Sequence, residues 1–217
     1  MSSDDLEHSR GAESASMGDG FLLHSEAGLA EAARRAIQTA IRAGAGAAMA
    51  AASESGGLNM QITNRELETA TRDGSQSLQI LVYENGRTGS ASTQALNFEA
   101  IDRTVSQAIA IARQLEPDPD AGLADANSLA WDTPAVPLFA PSGLTAAELL
   151  QAALEIEAGA LSGPVRDPVR VVEAGAASQD MRWAVATSQD FCRTGSGSLQ
   201  QRWCVTIAER GNVMARD

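Results

Sequence analysis

The spacing of apolar residues switches repeatedly between a helical and a strand period, and the order of those switches constrains the fold more than any single motif. From Glu26 to Ala43, the residues Leu29, Ala33, Ala36, Ile37, Ala40 and Ile41 recur at helical spacing, with Arg34 and Arg35 on the solvated side. Ser25 precedes them as a cap that can accept backbone N–H bonds, and Gly44 follows as a residue free to adopt positive φ. The period then shortens. Ala47–Ser53 reads as a strand of small residues, Gly56-Gly57 as a turn, and Leu58, Met60 and Ile62 alternate with Asn59, Gln61 and Thr63. Glu66–Thr71 and Ser77–Tyr83 predict two further strands. Glu84-Asn85-Gly86-Arg87 predicts a hairpin turn into Thr88–Thr93, because Asn-Gly tolerates the positive φ of primed turns.

A second helix is expected from Phe98 to Leu115, capped by Asn97, with Phe98, Ile101, Val105, Ala108, Ile109 and Ala112 as its apolar stripe. Pro117 and Pro119 end it, and a connection from Glu116 to Gly143 carries Pro134, Pro137 and Pro141 as well. A connection this long inside one domain is expected either to pack against something or to serve function. Thr145 and Glu148 form a capping box for a third helix, Ala146–Leu161, with Leu149, Ala153, Ile156 and Ala160 on one face. Strands are then predicted over Val169–Ala177, Met181–Ser188 and Gln200–Glu209, with Trp203, Val205 and Ile207 sharing one face. The order helix, strands, helix, helix, strands indicates an α+β fold, a largely antiparallel sheet packed with three main helices. Residues 1–24 are expected to be a disordered tail. Residues 25–217 form the folded part, with sub-regions 25–115 and 144–217 joined by the Pro-rich connection.

Composition closes several routes to function. All 16 basic residues are arginine, so no phosphate-loop lysine, Schiff-base lysine or Ser-Lys dyad exists. A net charge of -12 without a basic stripe argues against nucleic-acid binding. Cys192 and Cys204 match neither a CxxC pair nor a disulfide framework, and are expected to be reduced, partly buried thiols. No apolar run reaches the ~20 residues of a membrane span. Met1–Gly20 lacks the basic and apolar regions of a signal peptide, so a cytoplasmic location is expected.

The search for chemistry ends without an active site. The two histidines, His8 and His24, belong to no metal-binding pattern, and both are expected to be solvent-exposed. Ser90, Ser92, Ser196 and Ser198 lie in Gly/Ser-rich stretches that lack the nucleophile-elbow pattern, with no histidine placed as a base. Asp118, Asp120 and Asp125 cluster without EF-hand spacing and read as a solvated loop. Trp183 and Trp203 read as core residues.

Four blocks carry a family resemblance. The first is Gly89-Ser90-Ala91-Ser92-Thr93, leading through Leu96 into a helix with Ile101, Arg103-Thr104-Val105, Ala108 and Ile111-Ala112-Arg113. The second runs from Pro117-Asp118-Pro119-Asp120 through Ala121-Gly122-Leu123-Ala124-Asp125 to Leu129-Ala130 and Asp132. The third is Asp132-Thr133-Pro134, continuing to Leu138-Phe139-Ala140-Pro141. The fourth is Cys204-Val205-Thr206-Ile207-Ala208-Glu209 with Met214-Ala215-Arg216-Asp217. In this order they resemble the N-terminal half of a PmbA-type (TldE-type) subunit of the TldD/PmbA metalloprotease family, from about Glu26 to Asp217. Two positions depart from the family pattern. Gln79 stands where a glycine is usual, and Ala47-Ala48-Met49-Ala50-Ala51-Ala52 replaces larger β-branched residues.

The resemblance implies that the family's C-terminal half is absent here. It also implies a non-catalytic subunit that helps form a chamber for small or unfolded peptides. Zinc and its ligands would belong to a TldD-type partner, with no catalytic, metal or cofactor residue on this chain. The family's gyrase-modulator name comes with the resemblance. A protein-interaction module without a protease role is the alternative, and a self-sufficient hydrolase is disfavoured. If a second half normally packs on this domain, an apolar patch should lie exposed on its surface.

Overall fold

A computed structural model describes residues 21–132, 134, 136–162, 169–210 and 213–216. The elements are α1 (Glu26–Arg42), β1 (Ala47–Thr63), β2 (Glu66–Glu84), β3 (Arg87–Thr93), α2 (Phe98–Ala112), α3 (Ala146–Leu161), β4 (Val169–Thr187), β5 (Cys192–Arg210) and β6 (Val213–Arg216), with a 3-10 turn at Ala126–Ser128. The strands form one six-stranded sheet in the order β3-β2-β1-β4-β5-β6, antiparallel at every pairing. The α+β expectation holds.

All three helices cover the same face of that sheet. Even-numbered residues of β1 point toward them along its whole length. Ala48, Ala50 and Ala52 lie under α1 and α2 with Leu78, Ile80 and Val82 of β2. Met60 and Ile62 lie under α3. The contact to α1 is made by small residues on both sides, with Ala33, Ala36 and Ala40 meeting the alanines of β1. Alanine is a poor strand former, but fully covered alanines let helix and sheet backbones approach closely, and this packing overrides the propensity. The larger side chains Leu29, Ile80, Ile101 and Val105 fill the space between, each contributing about 1.5–3 kcal/mol through burial.

The helix ends follow local chemistry. Ser25 Oγ accepts from Gly28 N at 3.1 Å, Asn97 Oδ1 accepts from Ala100 N at 2.9 Å, and Thr145 with Glu148 forms the expected capping box. Gly44 takes φ +99° after α1, and Asn85 and Gly86 take φ 53° and 74° in the β2–β3 turn. The second helix ends at Ala112 rather than at Leu115. The third is rotated from expectation. Leu149, Ala152, Ala153 and Glu157 are buried, whereas Ile156 is half-buried and Ala160 exposed.

The strands are longer than the sequence suggests. Gly56-Gly57 is not a turn but the middle of the 17-residue β1. A Cβ at Gly56 would stand 2.8 Å from Phe21 Cβ, and one at Gly57 would stand 2.5 Å from the Ser178 carbonyl. These glycines serve close approach of neighbouring chain, not reversal. The true turn is Asn64-Arg65, both in the left-handed region (φ 51° and 64°), with Arg65 N donating to the buried carboxylate of Glu157 at 3.2 Å. Likewise the segments Glu66–Thr71 and Ser77–Tyr83 fuse into β2, Val169–Ala177 and Met181–Ser188 into β4, and β5 begins at Cys192 rather than Gln200.

Phe21–His24, within the expected tail of residues 1–24, lie on the sheet. Leu22 is buried, and the backbone of Leu23 and His24 is hydrogen-bonded to Glu54. Residues 1–20 of the expected tail, His8 among them, fall outside the described residues. The Pro-rich connection is strapped down along its path. Asp118 N donates to Gly86 O (2.7 Å), Gln189 Nε2 donates to Ala124 O (3.2 Å), and Trp131 meets Phe191 edge-on at 5.2 Å.

Two outcomes test this packing. A Cβ at Gly89 would drive into Ala108 O and stand 2.6 Å from Ala112 N, both helix backbone. Gly89→Ala should lower stability by about 1–3 kcal/mol, read as a lower urea midpoint at unchanged slope. Gly122→Ala, with nothing within 4 Å, should leave the midpoint in place. The second concerns α1's first residue. Thr194 Oγ1 (2.6 Å) and Ser196 Oγ (2.8 Å) donate to the Glu26 carboxylate. These bonds, Thr194's first, hold its pKa below the ordinary 4.5. A depressed carboxylate stabilises the fold above its unfolded pKa and loses that contribution as pH falls through the folded value. A carboxyl NMR titration should place Glu26 below 4.5 and move it upward in Thr194→Val/Ser196→Ala.

Candidate functional site

Between the part of the sheet under α1 and α2 and the part under α3, the buried face turns polar. Glu54 of β1 and Ser178, Asp180 and Arg182 of β4 are exposed by only 6%, 2%, 1% and 9%. Alternation aims all four toward the helix side, and the register sets Glu54 opposite Arg182 and Gly56 opposite Asp180. Glu54 accepts from Leu23 N at 3.0 Å and from His24 N at 2.7 Å. Arg182 Nη1 donates to His24 O at 2.9 Å, and its guanidinium lies 5.1 Å from the centre of the Phe139 ring. On the far side Ser198 Oγ donates to Asp180 Oδ1 at 2.7 Å, Ser142 and Ser178 share a hydrogen bond of 2.8 Å, and Ala140 N donates to Ser198 Oγ at 3.1 Å. The seam thereby fastens two irregular segments to the sheet, the entry to α1 and the end of the Pro-rich connection.

His24 departs from the exposed reading. Its Nδ1 lies 3.2 Å from Glu54 Oε2, within ion-pair range though without hydrogen-bond geometry, and the side chain is 34% exposed. Its main chain holds Glu54 and Arg182 together. The serines of the seam meet carboxylate or hydroxyl groups, and no described histidine reaches them, so the arrangement orients hydroxyls without supplying a base. Asp180 Oδ2 is buried without a hydrogen-bond partner.

The other residues singled out by the sequence stay apart. Asp118, Asp120 and Asp125 are exposed, with Asp118 Oδ1 accepting from Asp120 N at 2.9 Å. Among the described residues no three His, Cys, Asp or Glu side chains form a group able to hold a metal. Cys192 and Cys204 are free and half-buried, as expected, with burial first and Glu157 second pushing the Cys204 thiol up. The tryptophans are a correction. Trp183 is 41% exposed on the uncovered face of the sheet over Gly195, with Met181 at 38% and Leu199 at 42% beside it. Trp203 lies across from Gly175 and donates to Glu173 at 2.7 Å. Each ring rests on a glycine of the neighbouring strand because a Cβ there would collide with it.

Sequence reasoning missed Glu54, Asp180 and Arg182. A signal existed, since Glu54 shares parity with Ala48, Ala50 and Ala52, but the supposed turn at Gly56-Gly57 broke the strand that would have shown it.

Comparison with known proteins bears on this architecture. Residues 48–112 match the PmbA/TldA metallopeptidase domain 1. The chain is 37% identical over 190 residues to Metalloprotease PmbA of Escherichia coli O157:H7, covering 84% of this chain and 41% of that protein. It is 33% identical over 146 residues to the Metalloprotease PmbA homolog of Haemophilus influenzae, covering 67% of this chain and 32% of that protein. It therefore spans less than half the length of these curated relatives. Among solved structures, TldE from Thermococcus kodakarensis superposes with a TM-score of 0.70 at 14% identity, over 84% of this chain and 40% of that one. A putative modulator of DNA gyrase from Bacteroides thetaiotaomicron superposes with a TM-score of 0.72 at 20% identity, over 86% and 42%. These two establish the shared fold. Taken with the matched domain and the identity to PmbA, they show that this chain belongs to the TldD/PmbA family and corresponds to about the N-terminal half of a PmbA-type member.

Proposed function

We propose that this chain is a non-catalytic component of a TldD/PmbA-type metallopeptidase, acting in the cytoplasm beside a TldD-type partner that supplies zinc. The observation that carries the reading is the 37% identity to Metalloprotease PmbA over 84% of the chain. The donor set supports it. His24 Nδ1 lies 3.2 Å from Glu54 Oε2, and among the described residues no three His, Cys, Asp or Glu side chains form a group able to hold a metal. No hydrolytic step is assigned to them. The chain's contribution would be a rigid wall, in which one long sheet backed by three helices bounds a space for small or unfolded peptides. The alternative, an interaction module without a protease role, is favoured by the Met181, Trp183 and Leu199 surface of the uncovered face.

Mixing the chain with a purified TldD-type subunit from the same source separates the two. Light scattering should show a stoichiometric complex, and zinc-dependent peptide cleavage in the same sample should exceed that of the partner alone, with none from this chain alone. Absence of a complex would turn the assignment toward the interaction module.

A further inference from the structure

The first half of β5 has an unpaired outer edge. β4 pairs one side of β5 from Cys192 to Ala208, whereas β6 pairs the other side only at Ile207–Arg210. Among the described residues, the Pro-rich connection bonds the free stretch near both of its ends. Arg193 Nε donates to Ala130 O at 3.2 Å, and Ser198 N donates to Leu138 O at 2.9 Å. Between these contacts lies a cavity of about 870 Å³, whose described lining includes Val136, Leu138 and Phe139 of the connection and Trp183 and Val185 of β4.

The floor of that cavity is backbone. N–H and C=O groups of successive strand residues point to alternate edges. Because Ser198 N–H points outward to the connection, those of Ser196 and Thr194 point outward too, into the cavity. No described residue bonds them. Val136 and Leu138 are 63% and 62% exposed above them. Unpaired strand-edge groups beneath apolar walls match an added strand, whose main chain takes the hydrogen bonds and whose alternate side chains take the walls.

Charge sets the direction. A segment antiparallel to β5 brings its C-terminal end to Arg193 and its N-terminal end to Ser198, whose hydroxyl is held by the Asp180 carboxylate. A free C-terminal carboxylate is attracted at the Arg193 end and repelled at the other. The Glu26 carboxylate, also on the lining, stays charged and bonds both Thr194 and Ser196, so it bears on both ends of the segment and leaves Arg193 and Asp180 to distinguish them. The span from Thr194 to Ser198 accommodates about three to four extended residues at ~3.3 Å each.

We propose that this groove binds the C-terminal end of an extended apolar peptide, paired antiparallel to β5 with its carboxylate at Arg193. The inference stands on the edge geometry. Failure of the partner-mixing experiment would leave it intact, and its own failure would leave the subunit reading intact.

The test is titration calorimetry of the full 217-residue chain with three probes: acetyl-Val-Leu-Val with a free carboxylate, its C-terminal amide, and the free acid methylated at every backbone nitrogen. The free acid should bind. Methylation should weaken binding by about tenfold or more, and amidation by at least about threefold. Val136→Asp/Leu138→Asp, at exposed positions, should abolish binding of the free acid with an unchanged circular dichroism spectrum. No binding at millimolar peptide, equal binding of all three probes, or binding retained in the double variant would overturn the proposal. A concentration-dependent dimer lost in the same variant, without peptide binding, would also overturn it and give the groove to a second copy of the chain.

Discussion

Burial of a single face of one antiparallel sheet, along strands of 17 to 19 residues, is the constraint on which the rest of this molecule depends. A strand of that length presents far more surface than one helix can cover. α1 and α2 therefore cover one part and α3 another. At the first part the covering is alanine on alanine, which sets a short helix-to-sheet distance and makes glycine obligatory at position 89, where a methyl would strike the α2 backbone. The low aromatic content of the chain is consistent with this geometry, since thin side chains on both surfaces leave little room for rings.

The gap between the two helical covers explains the polar seam. Charges there are shielded from water and are tolerable only when partnered. Glu54 is answered by two backbone N–H groups and faces Arg182 across the ladder, and Arg182 in turn holds the His24 carbonyl and the Phe139 ring. The partners come from segments with no regular structure of their own, so the seam gives those segments a fixed path. The same arrangement carries the Pro-rich connection to the β5 edge, where it shields part of an otherwise open strand. β2 manages its own free stretch differently. Residues 66–75 are exposed, carry Glu66, Glu68, Arg72 and Asp73, and include a register shift opposite Gln61 and Ile62.

The two sides of the sheet differ in chemistry. On the helix side, the polar groups Glu54, Ser178 and Arg182 bond the segments that flank α1 and α3, and Asp180 bonds Ser198 of β5. The other side carries serine pairs, Ser53 with Ser77 and Ser55 with Ser75, next to the exposed Met181, Trp183 and Leu199. Among the described residues no three His, Cys, Asp or Glu side chains form a group able to hold a metal. The uncovered face and the groove at β5 both offer apolar side chains to solvent.

Much of this is legible in the sequence. Helix caps at Ser25, Asn97 and Thr145, the Asn85-Gly86 turn and the order of periods depend on interactions within a few residues, so they follow from local sequence. The four family blocks also lie in the linear order of residues. What tertiary structure decided involves partners distant in the chain. Gly56 and Gly57 read as a turn locally, yet lie mid-strand because Phe21 and Ser178 press against them. His24 looks exposed until Glu54, 30 positions on, arrives beside it. Glu157 turns inward because the Asn64-Arg65 turn, 92 positions before it, offers a backbone N–H that needs an acceptor. Local periodicity records which face a residue prefers. Only the packed sheet determines where a strand ends and which buried charge meets which partner, because those outcomes depend on pairing free energy that no short window of sequence contains.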